Sequence, residues 1–441
     1  MSYEEGKAAM ERKDYATAMK IWGTLADIGD AQSQNAMGVV YAQGLGVPIN
    51  PELSLQWITR AANNGYASAQ SNLALLYFHG EGSVASDLQK SAHYARMAAE
   101  QGDAEMQNRL SLDYFMGWGV SKNIAEGLKW ARLAADNGVA QAQFNLADSY
   151  EQGRALPQDY SMALKWYTLA AKQGDLGAYF RIGQMYMHPR GVAQDFAQAM
   201  KWLRPAAEKG HAGAQNLVAF LYASGLGVEV DEVQAVKWYL LAAEQKHVEA
   251  MNNLGVHFES GRGVVQDYRQ AIYWYRAAAD AGEAGAQRAM GLMTGNGRGI
   301  KQDYPEAVRW FRLAADQNDA VAQHMLGVYF LLGQGVEKDY AQAFRWESLA
   351  AEQGFDEAQA NLGVIYLRGY GVEIDPVRAA QWLRLACSQD YAASCLTLGE
   401  MHERGLGVSV NRDEALALFQ KAAKLGNVQA LEKVRSGTNG P

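Results

Sequence analysis

The sequence predicts an all-α fold, a solenoid built by stacking helix–turn–helix units. Three observations predict it. First, the phrase Gly-x-Ala-x-Ala-Gln returns throughout the chain. Its first residue or the equivalent stands at Gly29, Gly65, Gly102, Gly138, Gly174, Gly210, Lys246, Gly282, Asn318, Gly354, Asp390 and Gly426. The spacing is 36 residues every time except one of 37, and the inserted residue falls near Ser83 to Ser86. Second, apolar residues inside each period recur four apart, the spacing of one helix face. Third, the 45 glycines among 441 residues follow no collagen-like triplet and instead punctuate the chain at fixed places. Such a period is the mark of repeat architectures.

The elements follow in order. Residues 1–30 read as an atypical opening hairpin, a cap for the stack. Residues 31–426 hold eleven units of 36 to 37 residues. Residues 427–441 read as a helix remnant and a polar tail ending SGTNGP, of the kind that frays. Within a unit, helix A is seen clearly between Gly138 and Gly174: Ala142, Leu146 and Tyr150 lie on one face, and Ala147 is small where another helix must come close. Paired glycines follow, as at Gly44 and Gly46, Gly225 and Gly227, and Gly333 and Gly335, suited to the positive φ of a helix end.

Helix B then opens on Asn50, Asp87, Asn123, Asp159, Asp195, Asp231, Asp267, Asp303, Asp339, Asp375 or Asn411. Three residues on, seven units carry Glu126, Gln198, Gln234, Gln270, Glu306, Gln342 or Glu414, which predicts a reciprocal capping box. Pro51 and Pro376 sit directly after the cap, where proline loses no hydrogen bond. Helix B repeats the pattern of Ala163, Trp166, Ala170 and Ala171. The tryptophan returns at 130, 166, 202, 238, 274, 310, 346 and 382, with Trp57 and Tyr94 in earlier slots. The indole is expected to be the large knob of the core, and its loss to cost about 3–5 kcal/mol.

This order of helix, Gly-x-Gly loop and capped helix with Ala-x-x-Trp-x-x-x-Ala-Ala resembles the Sel1-like repeat family, relatives of the tetratricopeptide repeats. The stretch from Ala322 to Val336 carries Ala-Gln-x-x-Leu-Gly-x-x-Tyr-x-x-Gly-x-Gly-Val nearly whole. The resemblance implies a right-handed α/α superhelix and a role as adaptor, assembly scaffold or regulator; some bacterial relatives are immunity proteins. Pro189 and Ala155 replace loop glycines, so the fourth and fifth units are expected to have altered loops. Thr294 and His402 replace the tyrosine, and Leu418 replaces the tryptophan in the last unit. Cys387 takes the second-alanine slot of a helix B, and Cys395 the glutamine slot of the next helix A. That pair is similar to the bridged repeat of a cysteine-rich subfamily and implies a disulfide. The alternative is two small buried thiols. With no signal peptide at the N-terminus, the reduced pair and a cytoplasmic location are expected, a periplasmic one only if a signal had been removed.

Composition narrows the partners. Net charge is −8 with no basic block, which disfavours nucleic acid. No apolar run is long enough for a membrane span. No catalytic, metal or cofactor signature survives scrutiny. His402-Glu403 begins a zinc-protease-like string, but Leu406 stands where the second histidine belongs. The glycines at 295, 297 and 299 fall in the repeat's turn slots and follow no strand. Function is therefore expected in positions six, ten and thirteen after the anchor glycine, which vary most and cluster on one side of helix A. By resemblance that side lines the concave surface. Phe78, Phe115, Phe144, Phe180, Met187 and Phe220 occupy it among Asp148, Glu151 and Gln184, with Glu400 and Glu403 further on. The expectation is a non-enzymatic, monomeric scaffold or adaptor that binds a protein or peptide there. An immunity-type inhibitor of a cognate toxin is the nearest alternative, and a cell-wall-related enzyme the alternative from another class.

Overall fold

Every B helix starts where a short polar side chain can receive a free amide. In the computed structural model, which describes residues 1–80 and 84–437, all eleven predicted Asp and Asn caps accept a hydrogen bond from the backbone N–H three residues on. The reciprocal half of the capping box does not form in these units. The cap's own N–H is already taken, because it donates to the carbonyl of the tyrosine-slot residue of helix A across the loop. Asp159 donates to the Tyr150 carbonyl at 3.0 Å, Asp303 to Thr294 at 3.0 Å and Asn411 to His402 at 3.0 Å. The cap's N–H thus closes the loop on a backbone carbonyl, and the third residue of helix B is free to vary. Only the first helix carries a full box, between Ser2 and Glu5.

Twenty-five helices result, and no strand occurs among the described residues. An opening pair, Tyr3–Glu11 and Tyr15–Asp27, is followed by eleven A/B pairs and a closing helix, Val428–Gly437. Ser83, in the predicted insertion, and the last four residues of the tail lie outside the described residues. The chain divides into two units, Met1–Ala214 with Leu226–Val228, and Gln215–Gly225 with Glu229–Pro441. Anchor positions are left-handed even where glycine is absent: Lys246, Asn318 and Asp390 have φ of 64°, 68° and 66°. In the fourth repeat Ala155 keeps the glycine conformation at φ 63°, so that loop is unaltered. In the fifth, His188 before Pro189 is extended and the A helix Leu176–Met187 ends one residue early.

Packing within a repeat turns on one close approach. The small residue nine places after the anchor lies under the side chain that follows the tryptophan. A Cβ added to Gly255 would lie 2.5 Å from the Tyr275 ring, to Gly291 2.6 Å from Phe311, and to Gly183 2.4 Å from Leu203. Tyr275, Phe311, Leu203 and Tyr167 are among the largest fully buried side chains. The tryptophan expectation is corrected accordingly. Trp130, Trp166, Trp310 and Trp346 are buried, whereas Trp57, Trp202, Trp238, Trp274 and Trp382 are only half-buried. The residue after the indole reaches the helix–helix contact; the indole flanks it. The opening pair uses the same device, with Trp22 seated on Gly6 and its Nε1 donating to the Tyr3 carbonyl at 3.2 Å.

Successive repeats are joined by the glutamine of the repeated phrase. Gln359 donates to the Ala351 carbonyl of the preceding B helix and accepts from Gln389 at the end of the next. Gln34, Gln70, Gln107, Gln143, Gln287 and Gln323 do the same, at 2.9–3.2 Å to the alanine and 2.7–2.9 Å from the following amide. In the last repeat Cys395 occupies the glutamine slot and is bonded to Cys387. The expectation of reduced thiols is therefore corrected. The two slots lie side by side wherever the glutamine reaches that alanine's carbonyl, and two cysteines there are within bonding range, with Cα atoms 4.7 Å apart.

One knob is charged. Glu347 is fully buried over Gly327, with His324 Nδ1 at 3.0 Å and Asn361 Nδ2 donating at 2.8 Å. Burial pushes its carboxyl above the usual carboxylate range despite those partners.

Replacing Phe311 with alanine is expected to cost about 3–5 kcal/mol and Trp274→Ala clearly less; urea melts with local hydrogen exchange compare them, and equal losses would return the indole to the centre. A raised folded pKa means that Glu347 contributes its stability below pH 4.5, the unfolded value, and loses it as pH rises through the folded one. Glu347→Gln should therefore match the native chain in acid and exceed it increasingly toward neutrality, and a gap independent of pH would refute this. Cys395→Ser is expected to lose about 2–3 kcal/mol, whereas Cys387→Ala with Cys395→Gln should recover part of that by restoring the glutamine bond. Thermal melts with and without reductant decide.

Candidate partner-binding surface

The predicted surface residues lie on the A helices, but most are engaged. Position six falls within ring reach of the next A helix. A Cβ on Gly177 would meet Phe144 Cε2 at 3.1 Å, and one on Gly213 would meet Phe180 at the same distance. Phe144 also packs 5.4 Å from the Tyr167 ring, and Phe180 lies 4.8 Å from His211. These rings fill the gaps between successive A helices. Phe115 turns inward onto Gly127 of its own B helix. Phe78 is covered by the Arg109 guanidinium, 3.3 Å from the ring centre, and by Trp118. Met187 is buried outright. The expected open row of phenylalanines is thus corrected: of the set, Phe220 alone is exposed, at 40%.

The polar members are placed as follows. Glu151 is buried; it accepts from the Tyr167 hydroxyl at 2.8 Å and lies 3.4 Å from Arg190. Burial and that carboxylate together push the Tyr167 hydroxyl pKa strongly up. Glu259, Tyr275 and Arg298 repeat the arrangement three units later. Asp148 stands 3.8 Å from Arg181, whose guanidinium also reaches Gln184 at 3.5 Å. Glu400 is half-buried, and Glu403 is exposed and paired with Lys433 at 2.7 Å.

Sequence reasoning named position ten among its three variable positions but missed the more regular feature there, an apolar residue in most repeats. In the first unit it is Val39, Leu75 and Leu112; in the second, Phe220, Val256, Leu292, Val328 and Val364. None is buried, and Leu75 and Val364 are 42% and 40% exposed. The signal was an apolar residue in eight of eleven units on the side opposite the core. The search for variation picked out Asp148, Gln184, Phe220 and Glu400 at this position and left the aliphatic residues aside. A space opens beside this row in each unit. The first, about 680 Å³, lies among Val39, Leu55, Ile58, Leu75 and Leu76. The second, about 180 Å³, lies in the second unit over Gly285. Among the described residues, no group of three or more His, Cys, Asp or Glu side chains is placed to hold a metal ion. No helix there is long and apolar enough to cross a membrane.

Comparison with known proteins gives the family. The model of the Sel1 repeat matches residues 31–66, 67–103, 104–139, 140–175, 177–211, 212–247, 248–283, 284–319, 320–355, 356–391 and 392–427. The crystal structure of a protective antigen of uropathogenic Escherichia coli with the SLR fold is 33% identical. It covers 95% of this chain and 89% of its own, with a TM-score of 0.85. A Sel1 repeat protein from Oxalobacter formigenes is 32% identical over 55% of this chain and 96% of its own, with a TM-score of 0.50. Among curated proteins, an F-box protein of Arabidopsis thaliana is 34% identical over 77 residues, 18% of this chain and 21% of that one. Chitin synthase regulatory factor 2 of Schizosaccharomyces pombe is 30% identical over 88 residues, 20% of this chain and 17% of that one. The chain thus spans about a fifth of the length of these curated relatives. Sel1 repeat proteins generally mediate protein–protein interactions, and their architecture is generally that of a non-enzymatic scaffold. With eleven matched repeats and a one-third-identical solved structure aligned over nearly its whole length, the chain belongs to the Sel1 repeat family.

Proposed function

We propose that this chain is a non-enzymatic scaffold or adaptor that holds a protein or peptide partner on the face presented by its A helices, the concave face of a Sel1 solenoid. The observation that carries this reading is the position-ten row of the second unit, where Phe220, Val256, Leu292, Val328 and Val364 are apolar and none is buried in five consecutive repeats, Phe220 and Val364 being 40% exposed. An apolar row left partly open beyond the core has a cost in solubility, and such patches mark interaction surfaces. Its polar surroundings, including Asp148-type and Glu403-type positions elsewhere in the series, supply the rim that makes binding specific. The working compartment is proposed to be an oxidising one, because the bonded Cys387–Cys395 pair persists there and is reduced in the cytosol.

The test is affinity capture from the native host's lysate with cross-linking of the captured protein, run with the native chain and with Phe220→Ser, Val328→Ser and Val364→Ser combined. Circular dichroism shows whether both are folded. The triple variant is expected to bind at least about tenfold more weakly, since the loss of even one anchor costs more than about 1 kcal/mol. A partner held equally by both and cross-linked only to B helices would overturn the surface.

A further inference from the structure

The two packed phenylalanines provide a template for a third site in which the ring is missing. In the fourth and fifth repeats, Phe144 lies over Gly177, beside Tyr167 and the buried Glu151. Three repeats later the same frame recurs residue for residue: Gly285 stands for Gly177, Tyr275 for Tyr167, Glu259 for Glu151 and Arg298 for Arg190. The Tyr275 hydroxyl donates to Glu259 at 2.8 Å and Arg298 lies 3.4 Å from it, distances that repeat those of the earlier frame. The residue in the place of Phe144 is Asn252. It does not cover the glycine. The three atoms nearest a Cβ on Gly285 all belong to the carboxylate of Glu283, two residues back, with no ring among them. The unfilled space is a pocket of about 180 Å³, bounded by both Asn252 and Gly285.

The rim changes in the sense a ring requires. Asp148, Arg181 and Gln184 around Phe144 are replaced by Val256, Ala289 and Leu292, all of which line the pocket. Val256, Ala289 and Leu292 pack against the core on one side and leave apolar surface to the gap on the other. Arg288, also on the lining, adds a planar cation, and a guanidinium near an aromatic face is attractive. Arg109 over Phe78 shows the same chain using that contact. The size agrees as well, since an apolar cavity of about 150 Å³ accepts benzene.

We infer that the pocket between the A helices Val248–Ser260 and Ala284–Asn296 is a binding site for one aromatic side chain, a phenylalanine or tyrosine presented by the partner, which enters where Phe144 lies in the earlier repeats. The partner is the one proposed above, so the inference rests on that reading for the source of the ring. The pocket's preference is testable without the partner.

The full-length protein is titrated with N-acetyl-phenylalanine amide, with N-acetyl-leucine amide as control, and binding is read by ligand-observed saturation-transfer NMR. The native chain should bind the phenylalanine amide saturably and more tightly than the leucine amide. Asn252→Phe, which supplies the ring internally, should weaken it at least tenfold. Gly285→Leu, which raises the floor, should do the same and serves if the first variant fails to fold by circular dichroism. No saturable binding to the native chain, no preference over leucine, or undiminished binding to a folded plugged variant would each overturn the site. Loss of the captured partner in the position-ten variant with ring binding intact concerns the wider surface. Capture intact with no ring binding removes the pocket alone.

Discussion

Most repeats are joined to the next through one buried side-chain amide, and much of the architecture is arranged so that this amide can be buried. Gln359 is 4% exposed, yet its Nε2 and Oε1 both have partners, the Ala351 carbonyl and the Gln389 amide. It therefore touches the B helix before it and the B helix after it while standing on an A helix. A buried amide left without partners costs about 1–3 kcal/mol, so a slip of register between repeats would strand both ends. Alanine is required beside it because the B helix must bring a backbone carbonyl within reach of the glutamine. The left-handed anchor residue, glycine in most repeats, is required because the chain must turn at once into the next A helix. The repeated phrase of the sequence is thus one hydrogen-bonded joint written out in residues.

That joint explains where the disulfide falls. Glutamine reaches eight residues back, from position 359 to 351, and Cys395 reaches eight residues back to Cys387. The covalent bond replaces the hydrogen bond in kind, joining a B helix to the A helix that follows it. It occurs in the last repeat, where position 425, which should supply the returning amide, is Leu425. A joint that would have lost one of its two partners is closed by sulfur instead.

The period, the helix pairs and the caps were legible in the sequence because each depends on local chemistry repeated many times: Asp159 caps its helix whatever lies beyond it. What was not legible depended on the reach of a side chain across space. The third residue of helix B looked like half of a capping box, as at Glu126, but the cap's amide already belonged to a carbonyl nine residues back. Tryptophan looked like the central knob because it is the largest repeated residue. The contact is made one residue later, where Tyr167, Leu203, Tyr275, Phe311 and Glu347 differ so much that no pattern shows. Phenylalanines at position six looked exposed because they lie opposite the core of their own repeat; the glycine that receives each lies in the next one.

These misreadings point the same way about function. In a stack, a residue on the outer side of its own helix belongs to one of two classes, those that reach a neighbour and those that do not. Phe144 and Phe180 reach one, and are spent on stacking. Val256 and Leu292 remain partly open beside a gap that nothing in the repeat closes. The side chains proposed to meet a partner are mainly the medium-sized aliphatics of position ten, which remain partly open to solvent. A ring added from outside at Gly285 would meet a glycine and a tyrosine equivalent to those that Phe144 meets from within, so that the proposed partner binding would repeat, between molecules, the contact that already builds the molecule.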